Sequence, residues 1–540
     1  MRHSRVLAAC RALLVWIVVL AGLVACQRAQ TPQPSNPADV APAPTFSVIE
    51  ADIVSIQLAM HDGALSSREL VQAYLDRIAA IDDAGPHLNA VIEINPDALS
   101  EADQRDAERR QHHVRGPLHG IPVLLKDNID ATPMINSAGS LALADNRPAD
   151  DAFVVARLRA AGAVILGKTN LSEWANFRST HSASGWSGRG GQTRNPYVLD
   201  RSPCGSSAGT GSAIAASLAS VGIGTETDGS VICPSAVAGL VGIKPTVGLV
   251  SRDGIIPISV SQDTAGPMAR TVADATALLG AMAGSDNADP ATLNADQRGA
   301  TDYSAHLKPD GLRGARIGVL RASMRFHPGV DAVMEQVITQ LRAAGAEVVD
   351  ATLPTQGKWD DPEFEVLLYE FKAGMAQYLA GTNSPHKTLA DLIAFNTAHA
   401  DAEMPWFGQE IFTLAEAKGP LSDAAYIKAR DAARRLAGAE GIDAALSAQN
   451  LDALLAPATG PAWPVDWVNG DHFLGAGYGA AAVAGYPSIT VPAGDVHGLP
   501  VGVVFLGPAW GEGRLIELAY GYEQISHARK PPQYLPTLSN

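Results

Sequence analysis

Cysteine is scarce in this chain, with four residues among 540. Cys10 and Cys26 lie in the N-terminal segment, so Cys204 and Cys233 alone remain for the folded part. One pair cannot build the disulfide framework that supports small secreted proteins, and the fold must depend on a large apolar core. These two cysteines could form a bridge, but we predict that they are two small buried side chains, as free cysteines commonly are.

Positive charge is also in short supply. The chain carries 40 lysines and arginines against 56 aspartates and glutamates, which gives a net charge of −16. Binding to nucleic acid requires a basic face, so we predict no nucleic-acid partner. The remaining composition, with 46% hydrophobic and 18% charged residues, is typical of a globular protein that buries a large core.

The N-terminal apolar run, residues 13–24, is too short for a comfortable membrane span. Arginines precede it, and Leu23-Val24-Ala25-Cys26 at its end resembles a bacterial lipobox. We therefore predict that residues 1–25 are a lipoprotein signal peptide and that Cys26 receives a lipid that anchors the chain to a membrane. An ordinary secretory signal with a chance cysteine is the alternative.

The next segment, residues 26–45, contains five prolines among alanine, glutamine, serine and asparagine. Such a composition builds no core, and we predict an extended tether between the anchor and a folded domain over residues 46–540. Gln27 is not the aspartate that usually keeps lipoproteins at the inner membrane. We therefore expect an exported protein on the periplasmic face of the outer membrane of a Gram-negative bacterium.

Helical patterns alternate with short apolar runs along the folded part. Residues 66–69 have the pattern of a helix capping box, and residues 120–125 are predicted to form a buried strand that ends at Lys126. The alternation predicts an α/β fold, built as a single large layered domain around a central sheet. Short apolar runs between residues 451 and 505 could complete this sheet or form a second domain.

The chain has no H-E-x-x-H motif and no cluster of cysteine and histidine at metal-ligand spacing. A metal-activated water is therefore not supported, and we predict neither a metal nor a cofactor. The chain contains instead a run of small residues, 204–235, that holds Ser206, Ser207 and Ser230. Such a run allows backbones to approach a ligand, or one another, very closely.

A serine hydroxyl becomes a nucleophile only when a base removes its proton. No histidine lies in the small-residue run, whereas Lys126 directly follows the apolar residues 123–125. Burial lowers the pKa of a lysine, so a buried Lys126 could act as this base. The alternative is a lysine that extends from a strand end toward solvent and has no catalytic role.

The small-residue run resembles the defining motif of the amidase signature family. The resemblance continues in residues 124–128, L-L-K-D-N, and in residues 242–246, G-I-K-P-T, and it spans residues 50–525. Within that family, residues 225–230 and 483–487 are most similar to the bacterial peptide amidases. The resemblance implies a mixed central β-sheet that is covered by helices on both faces.

The same resemblance implies roles for individual residues. It implies that Ser230 is the nucleophile and that Ser206, behind a cis peptide bond from Gly205, is a bridging serine. Lys126 is implied as the terminal base, and Ser207 as a hydrogen-bonding support of this Ser-Ser-Lys triad. The backbone N–H groups implied to form the oxyanion hole are those of Thr227, Asp228, Gly229 and Ser230.

The chain departs from the usual family pattern at three places. Cys204 stands where the family has its first glycine, and Ala208 follows the serine pair. Both are small enough to leave the chemistry intact. Thr227-Asp228 places side chains in the oxyanion loop, and we expect this pair to affect the choice of substrate more than the class of reaction.

Two other interpretations of the small-residue run remain. Residues 205–209, G-S-S-A-G, fit the nucleophile elbow of α/β-hydrolases, with Ser207 as the attacking group and His472 or His497 as its base. A proline-punctuated loop precedes this segment, which disfavours the elbow because an elbow follows directly on a strand. The second interpretation is a non-catalytic periplasmic lipoprotein that binds peptides, which would not need the lysine and the two serines together.

The sequence thus predicts an amide hydrolase that releases ammonia from a carboxamide through an acyl-enzyme on Ser230. The C-terminal amide of peptides is the expected substrate, with aryl, short aliphatic and fatty acyl amides as alternatives. Export disfavours a tRNA-dependent amidotransferase, because that reaction is cytoplasmic. We expect a monomer.

Overall fold

Short apolar runs form the central sheet of the fold, because strands covered on both faces are apolar throughout. The computed structural model describes residues 46–538. The predictions of a signal peptide, of lipidation at Cys26 and of a tether concern residues outside this part of the chain. The strands of the described part are β1 (Val91–Ile94), β2 (Pro122–Lys126), β3 (Val164–Thr169), β4 (Trp186–Ser187), β5 (Gly191–Gln192), β6 (Val221–Glu226), β7 (Val241–Lys244), β8 (Thr264–Ala269), β9 (Arg316–Leu320), β10 (Glu347–Ala351), β11 (Ala453–Pro457), β12 (Ser488–Val496) and β13 (Leu499–Leu506).

Eleven of these strands form one sheet in the order β1-β3-β2-β6-β8-β7-β12-β13-β11-β9-β10, and β4 pairs separately with β5. Strand β2 runs parallel to both β3 and β6, and β9 runs parallel to both β10 and β11. The neighbours from β6 through β8, β7, β12 and β13 to β11 are antiparallel, as is the β1–β3 pair. The sheet is therefore mixed, as predicted.

Helices flank this sheet. The predicted capping box is present, because Ser66 Oγ accepts a hydrogen bond from the Glu69 N–H at 3.1 Å and the Glu69 carboxylate accepts one from the Ser66 N–H at 2.8 Å. None of the helices within residues 46–538 has the length and apolar character needed to cross a membrane. The α-helices of this part are α1 (Ile53–His61), α2 (Ser67–Arg77), α3 (Ala98–Arg110), α4 (Phe153–Ala160), α5 (Ala208–Ala215), α6 (Ile232–Val237), α7 (Val272–Met282), α8 (Ala295–Arg298), α9 (Pro328–Ala343), α10 (Asp360–Ala380), α11 (Leu389–Ala398), α12 (Ala400–Glu403), α13 (Glu410–Glu416), α14 (Ala424–Ala437), α15 (Asp443–Gln449), α16 (Gly479–Ala484) and α17 (Glu512–Ser526).

The C-terminal strands complete the same sheet and do not form a second domain. Strands β12 and β13 lie side by side between β7 and β11, so the end of the chain occupies the middle of the sheet. The chain from Phe46 onward forms one compact unit. The sequence left open whether these strands complete the sheet or form a second domain, and the structure shows that they complete the sheet.

Three strands in or after the small-residue run, β6, β7 and β8, were not predicted. Strand β6 has glycine at positions 222 and 224, which weakens its pattern as a strand. In the structure these glycines make room for α5, since a Cβ on Gly224 would lie 2.6 Å from the Ser207 hydroxyl. A Cβ on Gly222 would lie equally close, 2.6 Å, to the Thr210 methyl group. The close backbone approach expected of the small-residue run is therefore a contact between helix and strand.

Cys204 and Cys233 form a disulfide, so the prediction of two unlinked buried cysteines is wrong. Cys204 precedes α5 and Cys233 lies in α6, and their Cα atoms are 6.0 Å apart. Both side chains are buried, as predicted. The sequence does not distinguish a disulfide from two unlinked cysteines, because both place the same small side chain in a buried position. A separation of 29 residues along the chain gives no spatial distance.

Candidate active site

Lys126 is the last residue of β2, at the edge of the sheet where β6 also ends. The two strands run parallel, with Leu125 opposite Ile223, so their carboxyl ends meet at this edge. Lys126 is wholly buried, and its Nζ donates hydrogen bonds to the Thr225 hydroxyl at 2.9 Å and to the Thr225 carbonyl at 3.2 Å. The Asn128 side chain donates to the same hydroxyl at 3.0 Å. The lysine predicted at a strand end thus points inward, away from solvent.

Lys126 also reaches the first predicted serine. Its Nζ lies within hydrogen-bonding distance of Ser206 Oγ, at 2.7 Å, and both side chains are wholly buried. Burial lowers the pKa of Lys126 to about 7, although the carboxylates of Asp263 and Glu226 act in the opposite direction. A large fraction of Lys126 is therefore a neutral amine near neutral pH, which is the state that a base requires.

The position of Ser206 is set by close packing around Gly205. The peptide bond between Gly205 and Ser206 is cis. A Cβ on Gly205 would overlap the Ser172 hydroxyl, which accepts a hydrogen bond from the Gly185 N–H at 2.9 Å. The Ser172 N–H in turn donates to the Ser206 carbonyl at 3.0 Å. Glycine at position 205 therefore lets the loop lie directly against Ser172.

Ser207 holds the surrounding segments together. Its buried hydroxyl donates to the Thr225 carbonyl at 3.2 Å and accepts from the Thr225 N–H at 3.2 Å. Its backbone N–H donates to the Ser230 carbonyl at 3.1 Å. A hydroxyl that is buried and bonded in both directions cannot attack a substrate, so the structure does not support the nucleophile elbow. One of the histidines proposed for that elbow, His497, lies in an exposed turn after β12.

Ser230 lies in a tight loop after β6, on the wall of a cleft, and is 8% exposed. Gly229 beside it has φ of +81°, a conformation that favours glycine. A Cβ on Gly229 would also overlap the ring of Tyr478, which packs against the loop. Tyr478 therefore restricts the loop at Gly229.

Glu226 supports this loop from behind. Its carboxylate accepts hydrogen bonds from the N–H groups of Val231 at 2.8 Å and Ile232 at 2.9 Å. Burial raises the pKa of Glu226, whereas the buried Lys244 nearby lowers it. Burial has the opposite effect on Lys244 and lowers its pKa to about 8. Glu226 thus has a structural role at the start of α6.

Thr227 and Asp228 have different surroundings: Thr227 is hydrogen-bonded within the protein, and Asp228 is exposed. Thr227 Oγ1 donates to the Asp263 carboxylate at 2.6 Å, and that carboxylate also accepts the N–H groups of Ile258 and Ser259, each at 2.8 Å. Burial raises the pKa of Asp263 to about 6, although these hydrogen bonds favour its charged form. Thr227 therefore ties the loop to the segment before β8. Asp228, in contrast, is exposed to the cleft.

The cleft beside Ser230 has a volume of about 400 Å³, which is in the range of small-molecule sites. Aromatic side chains supply much of its wall, and Asp228 and Asp471 are its charged residues. Within residues 46–538, no group of three or more His, Cys, Asp or Glu side chains is arranged to bind a metal ion. The aromatic residues that line the cleft are Phe177, Trp463, Phe473 and Tyr478.

Several residues of this site were not identified as such from the sequence. Thr225 and Asn128 lie inside the quoted motifs, and their polar side chains at strand ends are a signal that could have found them. Asp263 and Tyr478 come from segments far along the chain, and nothing in their local sequence indicates contact with the loop. Spatial neighbours of that kind are set by the order of strands in the sheet.

A family model described as Amidase matches residues 69–516. The chain therefore belongs to the amidase family, as the resemblance of its small-residue run predicted. Its fold and its family together define an amide hydrolase.

Known proteins similar to this chain include two peptide amidase structures. The native peptide amidase from Stenotrophomonas maltophilia is 61% identical with a TM-score of 0.87, and the match covers 90% of this chain and 99% of that chain. The peptide amidase PAM in complex with the competitive inhibitor chymostatin is 61% identical with a TM-score of 0.89, over 90% of this chain and 100% of that chain. An Arabidopsis thaliana protein named as a probable amidase is 41% identical over 509 residues, 91% of this chain and 93% of its own length.

The packing around Gly205 gives a test of the site. Gly205→Ala should lower the activity strongly, because its Cβ would overlap the Ser172 hydroxyl and displace Ser206. We expect that adding Ser172→Gly, which removes the overlapping atoms, restores part of the lost kcat/KM. Steady-state kinetics with an amide substrate would measure both effects. If Gly205→Ala is as active as the wild type, Ser206 is not positioned in this way.

Proposed function

We propose that this amidase hydrolyses the C-terminal amide of peptides, with Ser230 as nucleophile and with Ser206 and Lys126 as its proton relay. The observation that carries the proposal is the 2.7 Å contact between Lys126 Nζ and Ser206 Oγ in a wholly buried niche. A surface lysine would be protonated and hydrated, and it would have no lone pair to offer.

The acceptors around Lys126 support its role as a base. A neutral amine has two N–H groups and one lone pair. The hydroxyl and the carbonyl of Thr225, at 2.9 Å and 3.2 Å, accept two hydrogen bonds from Nζ. With both N–H groups directed at Thr225, the lone pair faces Ser206 and can accept the proton of its hydroxyl. Thr225 thus orients the base.

The reaction then follows in two halves. Ser230 Oγ attacks the carboxamide carbon while its proton passes to Ser206 Oγ and the proton of Ser206 passes to Lys126. The backbone N–H groups of residues 227–230 stabilise the resulting oxyanion. The C–N bond breaks as a proton returns through Ser206 to the leaving nitrogen, which departs as ammonia. Water attacks the acyl-enzyme with the same relay as its base, so that a carboxylate forms and Ser230 is regenerated.

The similar peptide amidases support a peptide as substrate. One of them binds chymostatin as a competitive inhibitor and is 61% identical to this chain over nearly its whole length. The aromatic wall of the cleft suits the side chain of a peptide, and Ser230 lies on that wall. Aryl, short aliphatic and fatty acyl amides are the alternative substrates.

Replacing each relay residue should abolish turnover of a peptide amide such as N-acetyl-Ala-Leu-NH2. We expect Ser230→Ala, Ser206→Ala and Lys126→Ala each to lower kcat by about 10⁴-fold or more, because the three groups act as one unit. Ammonia release, with no cleavage of the internal peptide bond, is the measurement. Ser235→Ala is a matched control, since Ser235 is a buried serine of the same small-residue run.

A fluorophosphonate probe identifies the attacking residue independently of the substrate. The adduct should map to Ser230 by mass spectrometry. An adduct on Ser207 would support the nucleophile elbow of an α/β-hydrolase, and the absence of any adduct would favour a binding protein. Faster hydrolysis of aryl or fatty acyl amides than of peptide amides would assign one of the alternative substrates.

The pKa of Lys126 sets the expected pH dependence. Because that pKa is lowered to about 7 and the neutral amine is the active form, activity should be lost as the pH falls through this value. Below it, kcat/KM should decrease about tenfold per pH unit. A pH–rate profile in buffers of constant ionic strength would measure this. A rate that stays flat from neutral pH down to about pH 5 would contradict a lysine base.

We also propose that the protein is exported and anchored through Cys26, with a monomeric folded domain. The disulfide between Cys204 and Cys233 supports export, because such bonds persist in oxidising compartments. Cys26→Ser should move the protein from the membrane fraction to the soluble periplasmic fraction. Equal distribution of the wild type and the variant would contradict the lipid anchor.

A further inference from the structure

The charge on the wall of the cleft is of one sign. Asp228 and Asp471 carry carboxylates, and in the described chain no lysine, arginine or histidine contributes to this wall. The two carboxylates differ in their surroundings. Asp471 accepts hydrogen bonds from the Ser184 N–H at 3.1 Å and from Trp463 Nε1 at 3.0 Å. These donors compensate part of its charge.

Asp228 has no such compensation. Among residues 46–538, none donates a hydrogen bond to its carboxylate, and its side chain is exposed to the cleft. Asp228 lies two residues before Ser230, so their Cα atoms are at most about 7.6 Å apart. The Thr227 hydroxyl, bonded to Asp263 at 2.6 Å, fixes the backbone on which Asp228 stands. A carboxyl group that is charged above its pKa is therefore held beside the position where the substrate reacts.

We propose that Asp228 is an electrostatic filter that admits the neutral carboxamide end of a peptide and rejects a carboxylate end. The proposal rests on the proposed function, because the two ends differ at the carbon that Ser230 attacks. A peptide amide and the corresponding acid have nearly the same shape, so charge is the property by which a site can separate them. The acid is also the product, and the same repulsion favours its release.

The expected strength of this filter follows from the distance. We take the distance between the Asp228 carboxylate and a substrate carboxylate at Ser230 as about the Cα spacing of these two residues. In a partly hydrated cleft, two like charges at this distance repel enough to change the affinity for the acid about tenfold. Such a factor does not prevent binding of the acid, but it keeps a product or a non-amidated peptide from occupying the site when amides are scarce. The side chain of Asp228 would therefore act on specificity and product inhibition.

The filter should depend on pH. Desolvation by the nearby protein raises the pKa of Asp228 to about 7; the carboxylates of Glu226 and Asp360 add to this effect and Lys244 opposes it. Asp228 gains its charge as the pH rises through this value, so rejection of the acid should strengthen above it. The charged and titratable groups that face Asp228 are Glu226, Lys244, Asp360, Glu363 and Tyr478.

A binding experiment in a Lys126→Met variant isolates this effect. The substitution stops hydrolysis and removes Lys126, whose pKa of about 7 would otherwise add to the pH dependence. Calorimetry would measure Kd for N-acetyl-Ala-Leu-NH2 and for the free acid N-acetyl-Ala-Leu at about pH 6 and about pH 8.5, where the acid stays ionised. The readout is the ratio of the two Kd values, acid over amide.

We expect this ratio to rise about tenfold between the two pH values in Lys126→Met. In Lys126→Met/Asp228→Asn the ratio should stay constant and small. The matched control is Lys126→Met/Asp361→Asn, which removes the same charge from an exposed residue that does not line the cleft, and it should retain the rise. If Asp228→Asn does not fold, Lys126→Met/Asp228→Ser takes its place in the same comparison.

Three results would overturn the filter. The first is that the acid binds as tightly as the amide at the higher pH. The second is that the Kd ratio does not change with pH in Lys126→Met, and the third is that the ratio still rises with pH in Lys126→Met/Asp228→Asn. If neither peptide binds, a peptide substrate and the filter fail together. If the ratio behaves as expected but the wild type releases no ammonia from the amide, the proposed function fails while the filter stands.

Discussion

The organisation of this site depends on keeping one amine away from water. Lys126 ends a strand that is buried along its whole length, and the loss of hydration makes its charged form costly. The protein does not offset that cost with a close carboxylate. It supplies the hydroxyl and carbonyl of Thr225, which accept the two N–H groups of a neutral amine. Burial of this residue thus converts a common surface cation into a group that can accept a proton.

Close backbone packing allows that burial. The small-residue run brings α5 against β6 so tightly that side chains are excluded at Gly222 and Gly224. The loop at Gly205 lies against Ser172 in the same way. The Ser207 hydroxyl satisfies both backbone groups of Thr225 within this packing. The disulfide then joins the two ends of the run covalently. The close packing of this segment therefore also determines where its serines lie.

Much of the architecture could be predicted from sequence, because buried strands such as β2 and β9 are short apolar runs with clear ends. Strands β6 to β8 could not, since their glycines and small residues are chosen for contact with neighbouring elements and obscure the pattern of a strand. The residues alone left Lys126 open between a buried base and a solvated strand end, and left the serines without roles. The family resemblance supplied those roles. Residues such as Asp263 and Tyr478 reach the loop only through the order of strands, which no local pattern contains.

The position of β12 and β13 has a consequence for how the chain folds as it is synthesised. These strands are synthesised last, yet they lie between β7 and β11 and join the two halves of the sheet. Until they emerge, both halves end in apolar strands with unpaired backbone groups, and the core cannot close. Truncation near the C-terminus that removes β12 and β13 would therefore remove strands from the interior of the sheet and not an appendage.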